Sequence, residues 1–445
     1  MNTLMTEELA GKRVLVLGYG REGRSSFRYL REHLPDADLS VADANTALDA
    51  ELSPLLPPSK RLLGPDYMQA VPQFDVVMQS PGICLKDSMP LFEHVLLTSQ
   101  TDLFLKAFRK QCVGVTGTKG KSTTASLVHH LLRESGRDTL FGGNIGLPLF
   151  EIASRVRPET VVVLELSCHQ LEFVRYSPHI ALLLNLYEEH LDHYRDFMAY
   201  QLAKYNITRF QEPDDLLVCS AGDGRISALL RRFPPRGEVL RFGDAPLPGW
   251  MYSADFPLVG EHNRRNAEAA LLAVRRLCAF GDDEAVRQAV SRFHGLPHRL
   301  EYVGCAGGIR FYNDSISTIP QAAVAAVAAI GGVGTLMLGG MDRGIDYSPL
   351  LPLFRQSAVC NFLFTGQAGR RMMSMIGPVP GKTFLFFEKF EDMVDAAFRL
   401  TAPGSACLLS PAAPSYDAFK NFEERGDVFK KLVLLHFNNQ TENHA

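Results

Sequence analysis

Short apolar runs recur along the chain, and segments of helical spacing or loops separate them. "RVLVLG" (13–18), "LSVAD" (39–43) and "DVVMQS" (75–80) form a first set. "CVGVTG" (112–117), "VVVLEL" (161–166) and "IALLLNL" (180–186) form a second. A third runs through "IRFYND" (309–314), "TLMLGG" (335–340), "FLFTG" (362–366) and "ACLLSP" (406–411). Strand and helix patterns in alternation predict parallel sheets, hence an α/β protein. Three sets predict three domains, at 1–98, 99–297 and 298–445. The polar tail "NNQTENHA" is expected to fray.

Composition narrows the class. The 445 residues are 46% hydrophobic and 21% charged, enough apolar material for several cores. A net charge of −3 does not mark the chain as a nucleic-acid binder. The eight cysteines are scattered without a CxxC pair or zinc spacing, so free, buried thiols in a reducing compartment are expected. "MNTLMTEELAGKR" lacks the apolar stretch of a signal peptide, and no window is long and apolar enough to span a bilayer. A cytoplasmic protein without membrane or nucleic-acid partners is expected.

Two glycine loops carry candidate chemistry. "LGYGREGRSS" places Gly18, Gly20 and Gly23 in G-x-G-x-x-G spacing between a strand and a helix, and Asp43 ends the next strand. Such a loop lets the backbone approach a diphosphate at a helix start. The spacing does not say which nucleotide. A dinucleotide such as NAD, another diphosphate, and plain packing glycines all remain open. Arg21 and Arg24 flank the loop and could pair with phosphate, or be solvated.

The second loop, "TGTKGKSTT", is sharper. Val115 stands where the strict Walker pattern wants its first glycine, but the shorter form keeps Gly117, Thr118, Gly120, Lys121, Ser122 and Thr123. Its amides can wrap a phosphate, Lys121 can reach the β and γ oxygens, and Ser122 can ligate Mg2+. Glu165 ends an apolar strand, where a lone acid is usually a cap; beside a P-loop it becomes a metal candidate. "LYEEHLDHY" adds Glu188, Glu189, His190, Asp192 and His193, suited to a second divalent ion or simply a polar loop.

The ordered set of motifs resembles the Mur ligase family, ATP-dependent amide-forming enzymes of peptidoglycan precursor synthesis. The likeness covers nearly the whole chain. It includes "GYGREG", "SPGI" (80–83), "TGTKGKSTT", "GGNIGLP" (142–148), "LELSCHQLE" (164–172), "NLYEEHLDHY" and "GEHNRRNAEAA" (260–270). It continues in "GLPHRLE" (295–301), "NDSIST" (313–318), "LGGMDRGIDYSPL" (338–350) and "LLSPAAPSYDAFKNFEERG" (408–426). Within the family it is similar to the branch that joins UDP-N-acetylmuramoyl-L-alanine to glutamate. The resemblance implies a Rossmann-like first domain, a P-loop central domain and a Rossmann-like third domain, each on a mainly parallel sheet.

The resemblance also implies roles. Gly18, Gly20, Arg21, Gly23, Asp43, Ser80 and Asn144 would hold the UDP substrate, which demotes NAD. Gly117, Thr118, Gly120, Lys121, Ser122, Thr123, Asn263, Asn266, Arg299 and Asp314 would hold ATP. Two Mg2+ ions would be held by Ser122, Glu165, His190 and, once carbamylated, Lys204. Lys121, His190 and Lys204 would serve catalysis. From the residues alone Lys204 reads as a solvated lysine on an amphipathic helix. Thr318, Arg343, Ser415 and Phe422 would bind glutamate. D-glutamate is expected, as the commoner branch of the family uses it, and a monomer is expected. Ile316 and Arg343 stand where that branch usually has lysines, and "GYGREG", "NDSIST" and "GGMDRG" look similar to the branch adding L-glutamate. Alternatives are that branch and a folylpolyglutamate-synthetase-like ligase.

Overall fold

The computed structural model describes residues 2–253, 256–258, 260–277, 280, 282–293 and 295–442. Three sheets organise them, each mainly parallel, as the strand sets predict. The first contains β1 (Arg13–Leu17), β2 (Asp38–Asp43), β3 (Arg61–Leu63), β4 (Val76–Gln79) and β5 (Leu96–Thr98), in the order β3-β2-β1-β4-β5. The second contains β6 (Cys112–Thr116), β7 (Thr139–Gly143), β8 (Val161–Glu165), β9 (Ile180–Leu183), β10 (Leu216–Ser220) and β11 (Glu238–Phe242), ordered β11-β10-β9-β6-β8-β7. The third contains β12 (Glu301–Ala306), β13 (Ile309–Asn313), β14 (Val333–Gly339), β15 (Asn361–Thr365), β16 (Thr383–Phe387) and β17 (Ala406–Leu409), ordered β12-β13-β17-β14-β15-β16. Only its β12–β13 pairing is antiparallel among the described strands.

The chain forms two compact units. One runs through Ser253 and takes in Glu261–Val290; the other holds the stretch from Ser291 onward. The first unit carries two sheets on one apolar cluster. That cluster runs from Val14, Val16 and Leu30 to Leu164, Leu183 and Leu217, and Tyr29 meets Phe150 at 4.3 Å between ring centroids. The polar Gln100 clamps the same junction. Its Nε2 lies 3.3 Å from Ser25 Oγ and Ser26 Oγ, and its Oε1 accepts from Leu149 N at 2.7 Å.

Strand order sets the chemistry. β6 lies between β8 and β9, with Val115 paired to Glu165 and Thr116 to Leu183. The loops after these strands therefore leave one sheet edge side by side, where ligands gather in open α/β sheets. The last helix runs Phe422–Glu442, well into the tail expected to fray. Of the described cysteines, Cys112, Cys168, Cys219 and Cys407 are buried, while Cys84, Cys305 and Cys360 are exposed and depart from the expected burial; Cys278 lies outside the described residues. No helix of the described residues is long and apolar enough to cross a membrane.

Candidate active site

β6 ends at Thr116 and the helix Lys121–Glu134 begins after a turn of four residues. Gly120 closes the turn at φ +85, and a Cβ there would meet Asn266 Oδ1 at 2.6 Å. Only glycine is comfortable with both demands. Asn185, which follows β9, splints the loop: Thr118 N donates to Asn185 O (2.9 Å), Lys119 N to Asn185 Oδ1 (2.8 Å), and Asn185 Nδ2 to Lys119 O (3.0 Å). Thr118 spends its hydroxyl on Tyr200 OH at 2.8 Å and Tyr187 O at 3.2 Å. Thr118 is therefore an anchor of the loop. Thr124 N closes the first intrahelical bond, to Gly120 O at 3.0 Å. The amides of Lys121, Ser122 and Thr123 thus belong to the open first turn, the kind of site that suits an anion.

Lys121 Nζ curls back onto Gly117 O and Thr118 O, both at 2.9 Å. Burial lowers its pKa, with Glu165 pulling the other way. Glu165 ends β8 and is 1% exposed. Asn144 holds it, with Nδ2 donating to Oε1 at 2.7 Å, while Oε2 is buried without a hydrogen-bond partner. A buried carboxylate oxygen left bare is costly unless a cation takes it. That oxygen and the Ser122 hydroxyl are hard oxygen donors, and they suit Mg2+.

Lys204 departs from its surface reading. The helix Phe197–Arg209 buries Ala203 through Thr208 in succession, and Lys204 is 2% exposed. Its Nζ donates to Gly117 O at 2.9 Å and lies 5.0 Å from the Tyr200 ring centre. Burial, then repulsion from Lys121, brings its pKa down to about 7. His190 sits after β9 at φ +57, a strained conformation for a residue with a Cβ. Burial and His169 lower its pKa. His169 was not singled out in the sequence. Its Nε2 is buried and unpartnered, and its ring lies 4.3 Å from His193 and 4.9 Å from His190. His193 is itself held by Glu172 at 2.9 Å. Asn263 and Asn266 lie one turn apart on the helix Glu261–Leu277, and Asn266 reaches Gly120, as noted.

The first glycine loop opens onto a cavity of about 390 Å3. Gly18, Gly20, Arg21, Asp43, Ser80 and Asn144 all line it, as does Glu22. Gly23 does not line it; a Cβ there would meet Gly18 O at 2.0 Å, so the glycine keeps the turn tight. Ser80 Oγ donates to Gly18 O at 2.6 Å, and Asp43 Oδ2 accepts from Tyr19 N at 2.7 Å. Asn144 joins the two regions, lining the cavity while holding Glu165.

In the second unit, the loops after β13, β17 and β14 leave one edge of three neighbouring parallel strands. They carry Asp314 and Thr318, Ser415 and Phe422, and Arg343 respectively. Asp314 is 2% exposed and accepts from Ser410 Oγ at 2.7 Å; burial raises its pKa. Arg299 and Arg343 are exposed, and Ser415 is buried. Arg425, missed in the sequence, binds these loops together. Its guanidinium donates to Ser315 Oγ and O, Ala413 O and Gly339 O at 2.9–3.3 Å. The "FEERG" segment was its only signal.

A P-loop-like turn, a bare carboxylate beside it and a buried lysine thus gather at one edge of the second sheet. The Mur ligase middle domain matches residues 115–274. A UDP-N-acetylmuramoylalanine–D-glutamate ligase of Geobacillus kaustophilus is 34% identical over 95% of this chain and 97% of its own. A UDP-N-acetylmuramoyl-L-alanine–L-glutamate ligase of Xanthomonas campestris is also 34% identical, over 96% of both. Among solved structures, the fold is similar to a MurF ligase from Thermotoga maritima in complex with ADP (TM-score 0.51, 16% identity, 100% of both chains). It is similar also to a UDP-N-acetylmuramate–alanine ligase from the same organism (TM-score 0.51, 18% identity, 96% and 100% covered). The chain belongs to the Mur ligase family.

Proposed function

We propose that the chain uses ATP to join UDP-N-acetylmuramoyl-L-alanine to glutamate, the D enantiomer, through an acyl phosphate. The observation that carries this is the Glu165 carboxylate, bare at Oε2 beside Lys121 and the open first turn of the phosphate loop. The relatives named for this reaction support the choice of substrates. The domains take the parts 1–98 for the UDP substrate, 99–297 for ATP and 298–445 for glutamate. Gly18, Gly20, Arg21, Asp43, Ser80 and Asn144 line the substrate's cleft. Asn263 and Asn266 take adenine and phosphates with Arg299, and Asp314 takes the ribose. Thr318, Arg343, Ser415 and Phe422 take glutamate.

A carboxylate is a poor electrophile and oxide a poor leaving group. Transfer of the γ-phosphoryl group to the alanyl carboxylate oxygen, with loss of ADP, repairs both defects. The glutamate amine attacks the carbonyl carbon, a tetrahedral intermediate forms, and phosphate leaves with the C–O electrons. Lys121 and the amides of Lys121–Thr123 stabilise charge on the moving phosphoryl group. Ser122 and Glu165 would hold one Mg2+, and His190 with carbamylated Lys204 a second, which supply further neutralisation of phosphate charge. Lys204 suits carbamylation because a buried amine of lowered pKa is populated in its neutral, nucleophilic form. Phosphate release from ATP with UDP-N-acetylmuramoyl-L-alanine, with and without glutamate, tests the reading. Release that needs both substrates is expected; release indifferent to them overturns it.

A second reading, L-glutamate, has two observations in its favour. Ile316 and Arg343 depart from the lysines of the D-adding pattern, and relatives named for either enantiomer are equally similar.

A further inference from the structure

The cavity over the first sheet holds a carboxylate to which anion binding assigns no role. Glu22 lies inside the glycine loop, and with Arg21 and Asp43 it supplies the titratable groups of the lining. Asp43 is committed to the loop, with Oδ2 accepting from Tyr19 N and Oδ1 from Asn45 N at 2.8 Å. Arg21 donates across the cavity to Gly146 O. Glu22 Oε1 accepts from Gln170 Nε2 at 2.6 Å. The orientation of that amide is fixed, because Gln170 Oε1 accepts from Ser167 N (3.1 Å) and Ser167 Oγ (3.3 Å) in a capping box. Among the described residues nothing donates to Glu22 Oε2, and with the side chain part-buried that oxygen is open to water or a ligand.

A diphosphate brought into this cavity meets Glu22 at its wall. As an anion the side chain repels the ligand; as an acid it donates to it. A second negative charge nearby disfavours the ionised form. We propose that Glu22 binds the diphosphate as a neutral carboxylic acid, taking one proton from solvent onto Oε2 and donating it to a phosphate oxygen. The proposal rests on the nucleotide-sugar reading of the cleft. Burial already pushes the free group up to about 7, against the opposing pull of the Gln170 amide and Arg21. The sign follows. Below about pH 7 the acid is present before binding and affinity is level; above it a proton must be taken up and affinity falls.

Titration calorimetry of the full chain with UDP-N-acetylglucosamine tests this, since that diphosphate diester keeps its charge across the range. Buffers of different ionisation enthalpy count the protons. Wild type is expected to take up close to one proton at about pH 8, with Kd weakening up to about tenfold per unit above pH 7. Glu22→Gln keeps an acceptor for Gln170 and is expected to show no uptake and a level Kd. Binding by wild type without uptake overturns the proposal, as does uptake that persists in Glu22→Gln. If Glu22→Gln does not fold, the wild-type proton count decides alone. Wild type that binds the probe at no pH overturns the nucleotide-sugar reading of the cleft itself.

Discussion

Two ammonium groups, Lys121 and Lys204, donate to a single carbonyl oxygen, that of Gly117. Both are largely out of water, and the charge on Lys121 lowers the tendency of Lys204 to stay charged. Lys204 yields, since it is the more buried and the charge on Lys121 adds to the effect of desolvation. On the proposed reading the labour divides: Lys121 would keep the charge that meets phosphate, and Lys204 would become the amine available to CO2. Lys121→Ala is expected to fold, with its melting temperature near wild type, and to lose about 10²-fold or more in turnover. Near-normal phosphate release by the folded variant removes Lys121 from the mechanism. Lys204→Ala is expected to be nearly inactive and to regain activity with formate or acetate, which place a carboxylate where the carbamate would stand. Full activity in CO2-depleted buffer rules the carbamate out.

Elements hold these residues in place, and their failure modes are separable. Gly120→Ala forces a Cβ into Asn266 and a left-handed turn, which costs roughly 1–2 kcal/mol for the backbone alone. The variant is expected to lose most of the melting-temperature rise that ATP gives wild type; an undiminished rise refutes the steric account. Arg425 ties three loops through one planar fork, although burial lowers its pKa to about 10. Arg425→Lys cannot reach all those acceptors. It is expected to lose about 1–3 kcal/mol of stability and to raise KM for glutamate more than it lowers kcat. An unchanged KM confines Arg425 to stability. Legibility in the sequence tracks burial only in part, since the buried β10, "LLVCS", escapes the reading. β6, β8 and β9 are buried along their length and read as unbroken apolar runs. The edge strands β3, β5, β7, β11, β12 and β16 are partly exposed and escape the reading, because "RLL", "LLT", "TLFGG", "EVLRF", "EYVGCA" and "TFLFF" lack that signature or its context. Glycine spacing disclosed the phosphate loops. Nothing in the spacing around Lys204 disclosed its burial, which comes from a helix packed on more than one face, nor the pairing of Glu22 with Gln170, which are 148 residues apart.

At the scale of the whole molecule, stereochemistry is the property no single site owns. The proposed glutamate contacts Thr318, Arg343, Ser415 and Phe422 belong to one compact unit, while Lys121 and Glu165 belong to the other. In the proposed reaction glutamate uses its carboxylates for binding and its amine for attack. Enantiomers carry the same groups with two positions exchanged at one carbon, so only one of them meets both demands without misplacing a charged contact. Each such contact is worth about 1.5–3 kcal/mol, or roughly ten- to a hundredfold in rate. Arg343 offers a planar, two-pronged grip where a lysine offers a point charge, and Ile316 removes a charge altogether. Arg343 is exposed and keeps a guanidinium for a carboxylate, whereas Ile316 offers none. The D enantiomer is therefore expected to be preferred by about tenfold or more in kcat/KM, measured as phosphate release coupled to each pure enantiomer in turn. A preference of that size for L-glutamate reverses the assignment. It would also make Ile316→Lys and Arg343→Lys the pair to test, since restoring both lysines should then move the preference back toward D.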